Sequence, residues 1–298
     1  MGVLQFTSTD VFQQEHHFND TRIFYLLIYN NIHDISRKGG DALRVSVVKP
    51  CITIAIVSGG LDSTCYLALW LYRGCDAYVL TFDYGQKGLR ELDIARRIIE
   101  KLNTIAATNG WGRVIEHRVI DMKFLKELWR GTQLTDEVVE VREEYQLSVV
   151  VPIRNVVMLA IAAAYAYTIR ELTRLKVYVV YGAQLDDAGY NSLIRDFNYP
   201  DCTPECVQSL ENAFKICHFR EARDIEVWSP SRENMSKAEL LRSCYSLIGD
   251  LVYYTWSCYL SGEVHCGKCE SCVNRIKAFR DAGIPDKTIY KTKPAIYG

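Results

Sequence analysis

The sequence predicts an α/β protein with a doubly wound, mostly parallel sheet, and three observations carry that expectation. Short β-branched apolar runs alternate with stretches of helical periodicity from Cys51 to Tyr181. A glycine-rich turn, Ser58-Gly59-Gly60, stands where the first apolar run gives way to a helix. The chain has 298 residues and is 49% hydrophobic, enough to bury one large core with room for a smaller addition.

In chain order, the first 50 residues are polar and irregular apart from an apolar run, Arg22 to Ile32, that reads as a strand, and a turn at Lys38-Gly39-Gly40. Cys51 to Val57 is β-branched and apolar, hence a buried strand. Asp62 to Tyr72 follows the turn as a helix, and Ala77 to Phe82 is the second strand. A helix with a charged face runs from Gly88 to Thr108, and a strand from Arg113 to Ile120. After Pro152 comes an apolar helix, then a strand over Lys176 to Tyr181. Beyond Asp186 the pattern loosens into a long polar loop, a helix from Thr203, a short strand over Asp224 to Trp228, and a helix opened by Ser236. Parallel strands joined by helices need helices on both faces, and such sheets bind ligands at the carboxyl ends of their strands.

Composition excludes several classes. A formal net charge of -1 gives no overall attraction to nucleic acid or an anionic membrane. The longest uncharged apolar stretch, Val156 to Ile169, is too short to cross a bilayer and reads as a buried helix. Eleven cysteines, with no signal peptide and four of them bunched, fit a reducing cytoplasm better than a secreted disulfide framework.

The turn carries the first chemistry. In Ser58-Gly59-Gly60-Leu61-Asp62-Ser63-Thr64 the glycines let the backbone approach a phosphate, the helix start offers unpaired N–H groups, and the hydroxyls add donors. Asp62 would repel phosphate unless it holds a divalent cation, for which Mg²⁺ carried with ATP is the expected ion, or caps the helix. The plain alternative is an ordinary glycine turn with Ser and Asp caps. The full string resembles the PP-loop of enzymes that split ATP into AMP and pyrophosphate while adenylating an acceptor. It lacks the lysine of a Walker loop.

The second motif is Cys258, Cys266, Cys269 and Cys272, with Gly267 and Lys268 in the first tight loop. Two-residue gaps let thiolates converge on one tetrahedral ion, and zinc, one structural ion per chain, is the expected occupant. An iron–sulfur cluster or two disulfides use the same thiols and remain alternatives. The other seven cysteines (Cys51, Cys65, Cys75, Cys202, Cys206, Cys217, Cys244) read as small buried hydrophobes.

A series of strings then resembles a specific family. Thr81-Phe82-Asp83-Tyr84-Gly85-Gln86, Val151-Pro152-Ile153-Arg154-Asn155, Tyr199-Pro200-Asp201-Cys202, Thr255-Trp256-Ser257-Cys258-Tyr259 and the CGKCESC run from Cys266 occur in order. Together with Arg275, Gly283, Asp286, Thr288 and Tyr290 they resemble the 7-cyano-7-deazaguanine synthase (QueC) family of the PP-loop superfamily. The resemblance implies a Rossmann-like PP-loop fold with a C-terminal helical zinc-binding appendage. It divides the chain into an extension of unknown role (1–50), an ATP-binding domain (51–250) and a four-cysteine region (251–298). It also implies a ligase converting 7-carboxy-7-deazaguanine, ammonia and ATP into the nitrile for queuosine or archaeosine, in a cytoplasmic homodimer that does not bind nucleic acid directly.

Under that resemblance Ser58, Gly59, Gly60, Leu61, Asp62, Ser63, Thr64, Asp83 and Gln86 contact ATP. Tyr84, Asn155, Asp187, Tyr199 and Asp201 contact the deazapurine, and Asp62, Arg154 and Lys237 act in catalysis. Asp201 suits the guanidine-like edge of a guanine analogue. Each has a blander reading: a strand-end turn at 83–86, a surface ion pair at Arg154, loop capping at Asp187, Tyr199 and Asp201, and a solvated lysine at Lys237. Ile153 replaces a small residue and would narrow a pocket it faced. Two other functions fit the motifs: a PP-loop enzyme adenylating a tRNA base or a protein terminus, and a non-catalytic nucleotide- and zinc-binding partner. A damaged PP-loop would favour the latter, and this one is intact.

Overall fold

The first strand, β1 (Cys51–Ile56), lies between two parallel neighbours, with Ile54 opposite Tyr78 of β2 (Asp76–Asp83) on one side and opposite Val179 of β4 (Lys176–Val180) on the other. The protein is described by a computed structural model over residues 50–142, 147–192, 195–220 and 224–292. The strand expected at Arg22 to Ile32 and the turn at Lys38-Gly39-Gly40 fall outside those residues.

The sheet is completed by β3 (Val114–Asp121) beside β2 and β7 (Ile225–Trp228) beside β4, giving the order β3-β2-β1-β4-β7 with every pairing parallel. A two-stranded antiparallel ribbon, β5 (Tyr190–Asn191) with β6 (Asp196–Phe197), stands apart. The chain steps outward from β1 to β3 and then returns to place β4 against β1. That reversal opens a crevice at the carboxyl ends of β1 and β4, where open α/β sheets bind ligands.

Helices cover both faces, as continuous burial along β1 and β2 requires. On one face α1 (Leu61–Tyr72) and α2 (Arg90–Asn109) pack with α6 (Lys237–Ile248) and α7 (Glu270–Ala282) around Ala55, Val57 and Val79. On the other, α3 (Arg154–Thr173) and α5 (Pro204–Phe214) pack around Ile52, Ile54, Val177 and Val179. Helix α3 is longer than its uncharged stretch suggested and, by length and composition, apolar enough to cross a membrane. Its Met158, Leu159, Ala162, Ala163, Ala166 and Ile169 are nevertheless buried in the core, the position of a central helix in a sheet protein. Helix α6 begins with a capping box in which the Ser236 and Glu239 side chains exchange bonds with each other's backbone N–H, and α7 ends at Gly283 in the left-handed region.

The C-terminal segment is more than an addition to the fold. Ala278, Phe279 and Ala282 of α7 enter the same core as α1, and residues 174–292 belong to one compact unit with 50–170. The buried Arg275 ties it down, bonding Thr288 Oγ1, Thr255 Oγ1, Ser257 Oγ and the Val252 carbonyl.

Two sequence expectations need correcting. Four of the seven outlying cysteines form disulfides, Cys51 with Cys75 and Cys65 with Cys244, and Cys217 is exposed. Parallel pairing of β1 and β2 joins the first pair and packing of α1 on α6 the second, a proximity invisible at sequence separations of 24 and 179. Ile153 does not narrow a pocket: it is 66% exposed at φ 58, where the chain turns into α3.

Candidate active site

The crevice holds a cavity of about 300 Å³. One wall is the turn after β1, and its shape is dictated by close packing. A Cβ on Gly59, at φ +85, would lie 2.7 Å from both the Glu91 carbonyl oxygen and Ala95 N, so only glycine lets the turn rest on α2. Trp256 N donates to the Gly59 carbonyl at 3.0 Å and clamps the turn from the C-terminal side. Gly182, just past β4, meets α1 as closely, since a Cβ there would stand 2.6 Å from Ser63 N. Within the turn, Ser58 Oγ accepts from Gly60 N at 3.2 Å and Ser63 Oγ accepts from Ser58 N at 3.2 Å.

Asp62, in the first turn of α1, receives Lys237 Nζ on Oδ2 at 2.6 Å. Its Oδ1 is buried with no hydrogen-bond partner among the described residues, an arrangement a cation would satisfy. Burial alone would lower the Lys237 pKa, but Asp62 and Asp187 outweigh it and hold the ammonium charged well above the ordinary lysine range. Asp187 sits in the short helix α4 (Leu185–Ala188), with its N–H on Gln184 Oε1. Burial, with Asp62 nearby, pushes its carboxyl up to about 7 against the pull of Lys237.

Arg154 opens α3 and donates from Nη1 to the Tyr84 hydroxyl at 3.1 Å. Burial opposes its charge, but Tyr84 and Asp201 more than offset that, so the guanidinium is permanently charged. Across from it is Glu91, whose carboxyl is pushed up to about 8 by burial, with Arg154 opposing. Glu270, the first residue of α7, accepts on Oε2 from the hydroxyls of Tyr199 at 3.1 Å and Tyr259 at 3.4 Å. Burial raises its carboxyl as well.

The cavity thus gathers most of the residues expected from the sequence. Ser58, Gly60, Leu61, Asp62 and Ser63 line it from β1 and α1. Tyr84, Gln86, Arg154 and Asn155 line it from the strand-end turn and α3, and Asp187, Tyr199, Asp201 and Lys237 from the later loops. Three others do not line it. Gly59 packs beneath the turn, Thr64 is buried behind it, and Asp83 turns to Gly85 N and Lys123 Nζ at 3.1 and 2.9 Å. Gln86 spends its amide on the turn, accepting from Tyr84 N and donating to the Phe82 carbonyl.

Residues the sequence reading missed also line the cavity: Glu91, Tyr181, Trp256, Ser257, Tyr259 and Glu270. Glu91 looked like one more charge on a solvated helix face, and no local signal separates it from Glu100. Glu270 had a signal, because it stands inside the cysteine run.

Beside the cavity, Cys258, Cys266, Cys269 and Cys272 bring their sulfurs within 4.8 Å of one another. Cys258 Sγ accepts from Leu260 N and Cys266 N, and Cys266 Sγ from Lys268 N and Cys269 N, at 3.3–3.5 Å. Backbone N–H groups aimed at sulfur offset thiolate charge, so the donor set fits one metal ion. His265 packs on Trp256, and its Nε2 accepts from Ser257 N at 3.1 Å.

The model of the family "Queuosine biosynthesis protein QueC" matches residues 52–283, which include the turn, the cavity and all four cysteines. The chain belongs to the QueC family. Curated relatives named 7-cyano-7-deazaguanine synthase agree. The one from Psychromonas ingrahamii is 33% identical over 243 residues, 80% of this chain and 97% of its own length. Those from Hahella chejuensis and a Nostoc species are each 33% identical over 247 residues, covering 82% and 80% of this chain and 94% and 96% of theirs. Among solved structures, the U34-tRNA thiolase NcsA of Methanococcus maripaludis aligns over 75% of this chain and 65% of its own at 16% identity and a TM-score of 0.37, too slight a likeness to argue from. QueC membership does not favour the readings as a different adenylating enzyme or a non-catalytic partner protein.

Proposed function

We propose that this chain is an ATP-dependent 7-cyano-7-deazaguanine synthase that joins ammonia to 7-carboxy-7-deazaguanine by way of an adenylated intermediate. The observation that carries the reading is the Asp62–Lys237 pair set against the Ser58–Ser63 turn in a cavity that also holds Arg154. A carboxylate has a poor leaving group, and transfer of AMP to it supplies a good one. The turn N–H groups and the α1 N-terminus suit the departing pyrophosphate. Lys237 and Arg154 supply fixed positive charge at that end of the cavity. Mg²⁺ carried with ATP would neutralise phosphate charge, and Asp62 Oδ1 is the protein atom suited to meet it.

Ammonia then displaces AMP, and a second activation removes the amide oxygen to leave the nitrile. Both steps shed protons, and Asp187, held at about 7, suits the role of acceptor at neutral pH, whereas Glu91, held at about 8, already carries its proton there. No covalent enzyme nucleophile is required. Burial keeps the cavity thiol, Cys202, protonated well above the ordinary thiol range, which agrees with this.

The four cysteines hold one structural zinc, the ion that suits four thiolates in a closed site. The chain acts in the cytoplasm as a homodimer, and its product feeds queuosine or archaeosine synthesis. The test is purified protein with 7-carboxy-7-deazaguanine, ammonium, Mg²⁺ and ATP, with the base read by mass spectrometry. Conversion to the nitrile supports the reading, and an unchanged base refutes it.

A further inference from the structure

We infer that Glu270, rather than Asp201, is the specificity-determining residue for the base, pairing its carboxylate with the ring N–H and exocyclic amino group of the deazaguanine. The inference rests on the proposed synthase activity and assigns one part of that substrate. A guanine-like edge presents adjacent N–H donors, and the side chain that matches them is an ionised carboxylate with unused acceptor capacity. The cavity offers several acids, and their surroundings differ.

Asp62 is engaged by Lys237, and Asp187 lies in the field of the same ammonium. Asp201 lies in the field of the Arg154 guanidinium, and its Oδ1 faces the Cys202 thiol at 3.8 Å. Glu91 also faces Arg154. Glu270, on which the Lys237 ammonium is only the smallest of the influences, is the one of these five held by two hydroxyls, those of Tyr199 and Tyr259. Both reach Oε2, and no donor among the described residues is bonded to Oε1. The two tyrosines fix the carboxylate and bring aromatic surface to the cavity wall, as a flat heterocycle needs. Glu270 is also held at its root, following Cys269 directly in the four-cysteine loop. The cysteine knot thereby acquires a reason to stand beside the cavity: it sets the position of the base-reading group.

A purely structural alternative is that Glu270 serves as an acidic residue at the start of α7, favoured by the helix dipole. The experiment compares 7-carboxy-7-deazaguanine with its analogue lacking the 2-amino group, using wild type, Glu270→Gln, Tyr259→Phe and Asp201→Asn. Metal content and ATP affinity are measured on each variant. The wild type is expected to prefer the amino-bearing base by roughly 30-fold or more in kcat/KM. Glu270→Gln should lose most of that preference through KM, keeping its metal, its ATP affinity and its slow turnover of the analogue. Tyr259→Phe, which keeps the carboxylate, should erode the preference a few-fold, and Asp201→Asn should leave it intact.

An active Glu270→Gln enzyme with undiminished preference overturns the proposal, as does loss of preference in Asp201→Asn instead. If Glu270→Gln cannot be recovered with metal bound, an unchanged preference in Tyr259→Phe overturns it. A wild type that converts neither base refutes the synthase reading itself, a result distinct from an active enzyme indifferent to the 2-amino group.

Discussion

Lys237 Nζ and Asp62 Oδ2 meet at 2.6 Å between the N-terminal turns of α6 and α1, 175 residues apart in the chain, with their side chains 11% and 21% exposed. Replacing Lys237 by Met leaves the Asp62 carboxylate facing a partly buried cavity without its cation. That should cost about 3 kcal/mol of stability, the low end for breaking a buried pair because both groups keep some solvent. Asp62→Ala should act on turnover instead. It should lower kcat on the order of 100-fold while ATP affinity changes only a few-fold, because charge stabilisation matters most as pyrophosphate leaves. Equal losses in kcat and ATP affinity would return Asp62 to simple binding.

The approach of Gly182 to Ser63 gives a steric prediction. A methyl at 2.6 Å from Ser63 N cannot be accommodated without moving the start of α1, backbone against backbone. Gly182→Ala should fold with reduced Tm and lose most activity, with KM for ATP raised. Wild-type kinetics in this variant would mean that the turn is not where ATP phosphates sit.

Glu91 gives a pH signature in stability. Its carboxyl ordinarily titrates at 4.5 and is held at about 8 in the folded protein, so between those values the folded state binds more protons than the unfolded one. Its contribution to stability is therefore fully present below about pH 4.5 and is lost as pH rises through 8. Glu91→Gln, which keeps the uncharged shape, should have a Tm that rises relative to wild type across that window and then levels off. Parallel Tm curves for the two proteins would show that Glu91 is an ordinary surface acid.

The four-cysteine cluster predicts a colourless protein with about one zinc per chain. Cys269→Ser should lose the metal and lower Tm on the order of 10 °C, because the cluster anchors α7 in the core beneath α1. A brown, iron-containing protein would contradict the zinc assignment.

Much of this was legible in the sequence because the signals are local. The alternation from Cys51 to Tyr181 placed the parallel strands, and the Ser58–Thr64 string and the Cys258–Cys272 spacing each carry their chemistry within a few residues. What was not legible depends on distance in the chain. Glu91 faces the cavity because Gly59 lets α2 rest on the turn, and neither residue signals the other. Asp83 was expected at the nucleotide and instead bonds Lys123, a partner brought near by the register that sets Asp83 of β2 opposite Asp121 of β3. The Cys65–Cys244 bond and the contribution of the C-terminal segment to the core likewise need the packing of α1 on α6 and α7 before they can be seen.

The central claim is that the turn after β1 handles pyrophosphate leaving an adenylated carboxylate, and nucleotide product analysis during turnover tests it most directly. Wild-type protein given 7-carboxy-7-deazaguanine, ammonium, Mg²⁺ and ATP should release AMP and pyrophosphate in step with nitrile, with an AMP for each of the carboxylate and amide activations. Accumulation of ADP and phosphate in step with nitrile would contradict it.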